Sequence, residues 1–164
     1  MSTATANAPI ALDVNGTHRE THAAGDTPLI YVLRNDFGLA ATRFGCGTEQ
    51  CGACVVLADG QPVYACTLPV AQAAGRAITT LEGLASGGRA HPLQAALIDA
   101  QAAQCGYCLS GITMRAAALI AARPDPSEDE VRAALDGHLC RCGSHNRIVR
   151  AVLAAAREMR EAKR

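Results

Sequence analysis

Aromatic side chains are scarce in this sequence: they make up 3% of its 164 residues, and tryptophan is absent. The core must therefore consist mainly of Ala, Val, Leu and Ile. An excess of either charge is also missing, since 15 basic and 15 acidic residues give a formal net charge of zero. Proteins that bind nucleic acid or anionic membrane surfaces typically carry a basic patch, so we expect neither partner.

Long apolar runs are absent too, and none approaches the roughly 20 residues that a membrane-spanning helix needs. We therefore expect no direct insertion into a membrane. Residues 1–9 lack the charged and apolar parts of a secretory signal and are predicted to form a disordered tail. The protein is expected in the cytoplasm, or in the periplasm or at a membrane if it is exported with a partner. Disulfides are rare in the cytosol, so the eight cysteines indicate metal ligation.

The first half of the chain predicts a small mixed sheet with one helix packed on it. Asn15-Gly16 and Asp59-Gly60 are strong hairpin signals, because both residues of such a turn need a positive φ. The predicted elements are the hairpin arms Ile10–Val14 and Thr17–His22, two further arms within Cys54–Cys66, a strand Ala77–Thr80 and a helix Leu29–Asn35.

The second half is predicted to be helical after a linker at residues 85–92, which contains Gly, Ser and Pro. The apolar periodicity predicts four helices, the third with a capping box formed by Ser127 and Glu130. The predicted helices are Leu93–Ala103, Gly111–Ala122, Ser127–Leu135 and Asn146–Arg160. The sequence therefore predicts an α+β protein, with a sheet domain at 10–84 and a four-helix bundle at 93–164.

Cys46, Cys51 and Cys54 follow the spacing C-x4-C-x2-C of plant-type ferredoxins. One loop can wrap round a small cluster in this way and supply three thiolates, and its glycines let backbone N–H groups approach the sulfurs. The turn at Asp59-Gly60 lies about midway between Cys54 and Cys66, so hairpin pairing brings Cys66 back as the fourth ligand. A structural zinc site usually takes two separate pairs of ligands, so this pattern favours a [2Fe–2S] cluster.

The other four cysteines form two short pairs at predicted helix ends, Cys105 with Cys108 and Cys140 with Cys142. Antiparallel helices can place both pairs round one site, where N–H groups at helix N-termini face an anionic cluster. By spacing alone, zinc competes here with a second [2Fe–2S] cluster.

Three motifs together resemble the iron–sulfur subunit of molybdenum hydroxylases, the family of xanthine dehydrogenase and aldehyde oxidoreductase. They are Arg-Phe-Gly-Cys-Gly-x-x-x-Cys-Gly-Ala-Cys at 43–54, Gln-Cys-Gly-Tyr-Cys at 104–108 and Leu-Cys-Arg-Cys-Gly at 139–143. The resemblance covers residues 10–159 and uses all eight cysteines. The stretch 142–148 looks most like the branch of isoquinoline oxidoreductase and membrane aldehyde dehydrogenase.

The resemblance implies a plant-ferredoxin-like (β-grasp) domain followed by a four-helix domain, each with one [2Fe–2S] cluster. It also implies that Gln104 hydrogen-bonds the pterin of a molybdopterin cofactor, in its cytosine dinucleotide form, held by a large partner subunit. The sulfur of Cys142 would approach the same pterin. During hydroxylation of an aldehyde or an N-heteroaromatic compound, electrons would enter this oxidoreductase subunit through the helical cluster. They would leave from the ferredoxin-like cluster to a flavin, a cytochrome c subunit or a quinone, and no residue of this chain would be catalytic.

Two other functions are considered. A strongly acidic surface would favour a free-standing ferredoxin, and the formal net charge of zero argues against it. The other is a zinc-stabilised interaction module, which would contain no iron. From its position alone, Gln104 is interpreted as a helix-end cap. The family commonly has Thr-Pro where this chain has Leu109-Ser110, and we expect Ser110 to cap the next helix.

A Rieske centre needs two histidine ligands, and two complete sets of four cysteines leave no place for them. The five histidines are therefore interpreted as surface or capping groups.

Overall fold

The computed structural model describes residues 8–85, 87–162 and 164. Its five strands form one sheet in the order β2-β1-β5-β3-β4, and β5 runs parallel to β1 but antiparallel to β3. The strands are β1 (Ile10–Val14), β2 (Thr17–Thr21), β3 (Val55–Ala58), β4 (Gln61–Tyr64) and β5 (Ala77–Thr79). The predicted mixed sheet is confirmed. Most of the predicted disordered tail, residues 1–7, lies outside the described residues.

Both predicted hairpins are present, with the register that their turns dictate. Asn15 and Gly16 have φ of 56° and 71°, and Asp59 and Gly60 have φ of 54° and 76°. These are the left-handed conformations that a two-residue turn between twisted strands requires. In the second hairpin Val55 pairs with Tyr64, so the residues on either side of the hairpin, including two cysteines, are brought together.

The helical part of the first half is more irregular than predicted. Helix α1 (Leu29–Tyr31) continues as one turn of π-helix (Val32–Asp36), and its buried side chains pack on the sheet. A short helix α2 (Val70–Ala73) and a 3-10 turn (Leu81–Leu84) are additional. Both were missed because four residues are too few to show helical periodicity.

The described residues of the second half form four helices, as predicted: α3 (Pro92–Asp99), α4 (Leu109–Ala122), α5 (Glu128–Leu135) and α6 (His145–Glu161). The capping box of α5 is confirmed, since Ser127 and Glu130 exchange hydrogen bonds between side chain and backbone N–H. Helix α3 ends at Asp99 rather than at Ala103. The chain turns at Gln101, whose φ of 46° is incompatible with a continuing helix.

Apolar side chains form two larger cores, one between the sheet and α1 and the other among α3, α4, α5 and α6, and a small cluster between β3 and α4. Strand β3 contributes to the first core and to the small cluster. Val56 and Ala58 point into the first core, whereas Val55 and Leu57 contact Met114 of α4 on the opposite face of the sheet. The helical half therefore covers the second face of the sheet. Among the described residues, no helix is long and apolar enough to cross a bilayer.

Candidate metal centres

The first set of thiols lies on an irregular loop between the π-helical turn and β3. The N–H of Cys46 donates to the Sγ of Cys51 at 3.3 Å, and the N–H groups of Thr48 and Gln50 donate to the Sγ of Cys46 at 3.4 and 3.2 Å. Burial alone would raise the pKa of the Cys46 thiol, but hydrogen bonds with the backbone and side chain of Thr48, the N–H of Gln50 and the Cys51 thiol lower its pKa to about 6. The loop thus stabilises negative charge on sulfur, as a metal-binding thiolate requires.

Glycine is required at three positions of this loop. A Cβ atom on Gly45 would lie 2.5 Å from the Sγ of Cys51, and Gly47 and Gly52 both have a φ of 72°. Side chains at these positions would either fill the space beside the sulfur or strain the backbone. The expectation that the glycines let the backbone approach the sulfurs is consistent with this geometry.

The hairpin β3–β4 brings Cys66 to the same loop, because Ala65 donates its N–H to the carbonyl of Cys54 at 3.2 Å. Both thiols are buried. Burial, followed by a hydrogen bond with the neighbouring Cys66 thiol, raises the pKa of Cys54 to about 12. Burial thus disfavours a free thiolate at Cys54, and bound iron would offset this cost by replacing the thiol proton.

The second set consists of two thiol pairs between helix ends. The Sγ atoms of Cys105 and Cys142 are 3.4 Å apart. Burial and a hydrogen bond with Cys140 raise the pKa of Cys108 to about 12. Burial opposes charge at Cys140 as well, yet the backbone N–H groups before α6, led by that of Ser144, lower its pKa. The expectation that a helix N-terminus faces these sulfurs is met at Cys140.

Each set is therefore four cysteines in two close pairs. Among residues 8–85 and 87–162, no three His, Cys, Asp or Glu side chains converge as the ligands of a single ion would. A [2Fe–2S] cluster takes two thiolates on each of its two irons, and paired thiols with backbone N–H donors fit this donor set. Cys46, Cys51, Cys54 and Cys66 would hold one cluster, and Cys105, Cys108, Cys140 and Cys142 the other.

Gln104 lies beyond the end of α3, and its exposed side-chain amide donates to the carbonyl of Cys142 at 3.4 Å. It is therefore not the cap of that helix. The two residues that the resemblance assigns to pterin contact are thus neighbours on one exposed edge of the second set. Their contact with a pterin stays a prediction.

The two sets face each other across a cavity of about 220 Å³, whose lining includes Cys46, Cys51, Cys105 and Cys108. The backbone connects them as well, since the N–H of Leu139 donates to the carbonyl of Cys51 at 3.1 Å. Leu139 precedes Cys140 directly. The peptide that leads into one ligand is thereby hydrogen-bonded to a ligand of the other set.

Ser110 does not cap α4, contrary to expectation. Helix α4 begins at Leu109 with Cys108 as its N-cap, so Ser110 lies within the helix. Its buried hydroxyl donates to the carbonyl of Ala53 at 3.1 Å. The reason is tertiary: α4 packs on the first loop, and this hydroxyl satisfies a loop carbonyl that the contact removes from water.

His138 is also different from the prediction for the histidines. His91 is a capping group, as predicted, but His138 is 2% exposed, and neither of its ring nitrogens has a hydrogen-bond partner within the described residues. Burial, with smaller contributions from Arg115 and His145, lowers the pKa of His138 to about 4 and keeps the ring neutral. The ring lies against Gly52, and no local sequence pattern indicates this contact.

Comparisons with known proteins agree with this geometry. Residues 12–78 match a 2Fe-2S iron-sulfur cluster binding domain, and residues 80–153 match a second [2Fe-2S] binding domain. A nicotinate dehydrogenase subunit of Pseudomonas putida is 51% identical over 93% of this chain and 97% of its own length. The alpha subunit of isoquinoline 1-oxidoreductase from Brevundimonas diminuta is 46% identical over 85% of this chain and 91% of its own.

The fold is shared with solved structures. A chain of quinoline 2-oxidoreductase from Pseudomonas putida 86 superposes with a TM-score of 0.91 at 35% identity, over 96% of this chain and 98% of that one. The aldehyde oxidoreductase of Desulfovibrio gigas gives a TM-score of 0.89 at 35% identity over 94% of this chain, which corresponds to 17% of that larger chain. The predicted ferredoxin-like domain followed by a helical domain is confirmed. This chain belongs to the family of iron–sulfur subunits of molybdenum hydroxylases.

Proposed function

We propose that this chain is the electron-transfer subunit of a molybdenum hydroxylase that acts on an aldehyde or an N-heteroaromatic compound. The observation that carries the proposal is the pairing of two thiol sets across one small cavity, with one set extending to an exposed edge at Gln104 and Cys142. When bound, the two [2Fe–2S] clusters supply one-electron chemistry and connect a partner's molybdenum cofactor with an external acceptor.

The residues of this chain hold and adjust the two clusters. Cys46 and Cys140, whose thiolates are stabilised by backbone N–H groups, would accept the largest share of hydrogen bonds to sulfur. Such bonds stabilise the charge of a reduced cluster. The hydrogen bond from Leu139 to Cys51 fixes the separation of the two sets, which is what a relay between two redox centres requires.

The exposed edge is where we place the partner. Gln104 presents a side-chain amide there, which is able both to donate and to accept hydrogen bonds, and the Sγ of Cys142 belongs to the same edge. By the resemblance, a large subunit would place the pterin of a molybdopterin cytosine dinucleotide against these two groups. A flavin or cytochrome c subunit would accept electrons from the first set, and the assembly would be cytoplasmic unless it is exported with a partner.

Electron paramagnetic resonance (EPR) after dithionite reduction tests the two clusters, with spins counted per chain in the wild type and in Cys66→Ser and Cys108→Ser. We expect two distinct S = 1/2 signals in the wild type, near two spins in total, and the loss of one different signal in each variant. Each variant is the control for the other. A single signal in the wild type would return the second set to zinc, and no signal in anaerobically purified protein would refute the proposal.

The free-standing ferredoxin is distinguished by the assembly state. A subunit of a hydroxylase co-purifies from its native host with a molybdenum-containing partner, and Gln104→Ala should weaken that association without changing either EPR signal. A matched control is Gln72→Ala, since Gln72 is likewise exposed but lies on α2, in the sheet domain. A chain that is isolated without molybdenum under all salt conditions would instead be a ferredoxin.

A further inference from the structure

Three of the five Phe and Tyr residues in the chain lie together at the two thiol sets. Phe44 stacks on Tyr31 with ring centroids 5.8 Å apart, and the hydroxyl of Tyr107 donates to the carbonyl of Phe44 at 2.6 Å. All three side chains are partly exposed, between 41% and 49%. Packing into a core therefore does not account for their position.

Tyr107 belongs by sequence to the second set, since it lies between Cys105 and Cys108. Its hydrogen bond nevertheless reaches the first loop, 63 residues away in the chain. The acceptor residue, Phe44, is two residues before Cys46, where the first set begins. The same tyrosine also lines the cavity between the two sets and has the guanidinium of Arg43 5.9 Å from its ring centroid.

The loop end that Tyr107 contacts is fixed on its other side as well. The Phe44 ring lies against Gly47, where a Cβ atom would be 3.0 Å from it, and Tyr31 covers the ring from the helical side. In the same loop, the N–H groups of Cys46, Thr48 and Gln50 are directed at sulfur. A tether at Phe44 therefore restrains the segment that orients these donors.

We propose that Tyr107 is a positioning residue for the first site: its hydroxyl, anchored within the second thiol set, holds the Cys46 loop in the conformation that directs N–H groups at sulfur. The inference rests on the proposed function, since it concerns the clusters that the two sets would hold. It assigns to one side chain the coupling of two sites that the sequence motifs treat as separate.

Tyr107→Phe is the test, because it keeps the ring and its contact with Arg43 but removes the hydroxyl. Tyr31→Phe is the matched control, since it also removes a tyrosine hydroxyl beside the Phe44 ring and keeps the ring that stacks on Phe44. Loss of one ordinary hydrogen bond changes an opening equilibrium by about two- to tenfold. We expect hydrogen exchange of a peptide spanning residues 43–54 to accelerate by about this factor in Tyr107→Phe, with no change in peptides from α4.

The second readout is the EPR-monitored reduction of the cluster-loaded chain. When the loop opens, its N–H groups are no longer directed at sulfur, and the hydrogen bonds that stabilise the more negative reduced state are weakened. We expect the reduction equilibrium of the signal that Cys66→Ser abolishes to shift toward the oxidised form by about two- to tenfold, where tenfold corresponds to about 59 mV for one electron. The signal that Cys108→Ser abolishes should keep its potential, although Tyr107 is next to those ligands.

The outcomes separate this inference from the proposed function. If the wild type does not show two distinct EPR signals, the proposed function fails. If both signals are present and Tyr107→Phe leaves the first unchanged, moves only the second, or has no more effect than Tyr31→Phe, the positioning role of Tyr107 is refuted while the proposed function stands.

Discussion

Gly111, in the first turn of α4, packs directly against the backbone of the first thiol loop. A Cβ atom at this position would overlap the carbonyl oxygen of Gly52 and lie 2.8 Å from its carbonyl carbon and 3.1 Å from that of Ala53. These atoms are main chain and belong to the segment between Cys51 and Cys54. They move only if the loop moves, so Gly111→Ala is a perturbation of both halves at once.

Two effects of opposite sign determine the outcome of Gly111→Ala. Alanine is favoured over glycine within a helix by up to about 1 kcal/mol. Overpacking at a well-packed contact costs about 1–3 kcal/mol, and the upper end applies because the obstacle is backbone. We expect a net destabilisation of about 2 kcal/mol, or a fall in the melting temperature of about 4–8 °C for a chain of this size.

The assay is thermal denaturation of the cluster-loaded protein followed by circular dichroism, with iron content and both EPR signals measured before heating. Gly137→Ala is the control, since a Cβ atom there meets only the Tyr64 hydroxyl at 3.8 Å, an ordinary contact. If Gly111→Ala melts at or above the wild-type temperature with full iron content, helix propensity dominates and the packing argument is wrong.

Three further predictions follow from individual contacts. Ser110→Ala leaves the carbonyl of Ala53 buried without its donor, so we expect a loss of about 1–3 kcal/mol in urea denaturation, and unchanged stability would contradict this. Gly52→Ala forces a φ of 72° on alanine and places its Cβ 2.6 Å from two atoms of the buried His138 imidazole. The EPR signal of the first site should therefore be lost, and an intact signal would count against this packing. A hydrogen bond from Arg76 lowers the pKa of Asp59. The stability that the ionised Asp59 contributes is therefore present at neutral pH and is lost as the pH falls below about 4. Melting temperatures measured against pH should show a smaller acid-induced fall in Asp59→Asn than in the wild type.

Much of the fold was predictable because its signals are local. The dipeptides Asn15-Gly16 and Asp59-Gly60 define both hairpins by their need for positive φ, and the capping box at Ser127 defines the start of α5. The end of α3 was predicted too late, since alanines continue the apolar pattern beyond Asp99 while the chain turns at Gln101. Periodicity does not register a turn whose residues are themselves good helix formers.

By itself, the sequence determined the two thiol sets, the glycines between their members and the order of a sheet domain before a helical one, because each depends on residues close together in the chain. Only the tertiary structure decided that α4 covers the second face of β3 and that the two sets face one cavity. The contacts responsible are those of Gly111 with Gly52, of Ser110 with Ala53 and of Tyr107 with Phe44. They join residues from opposite halves of the chain, so they depend on how the completed elements pack, which no local pattern specifies.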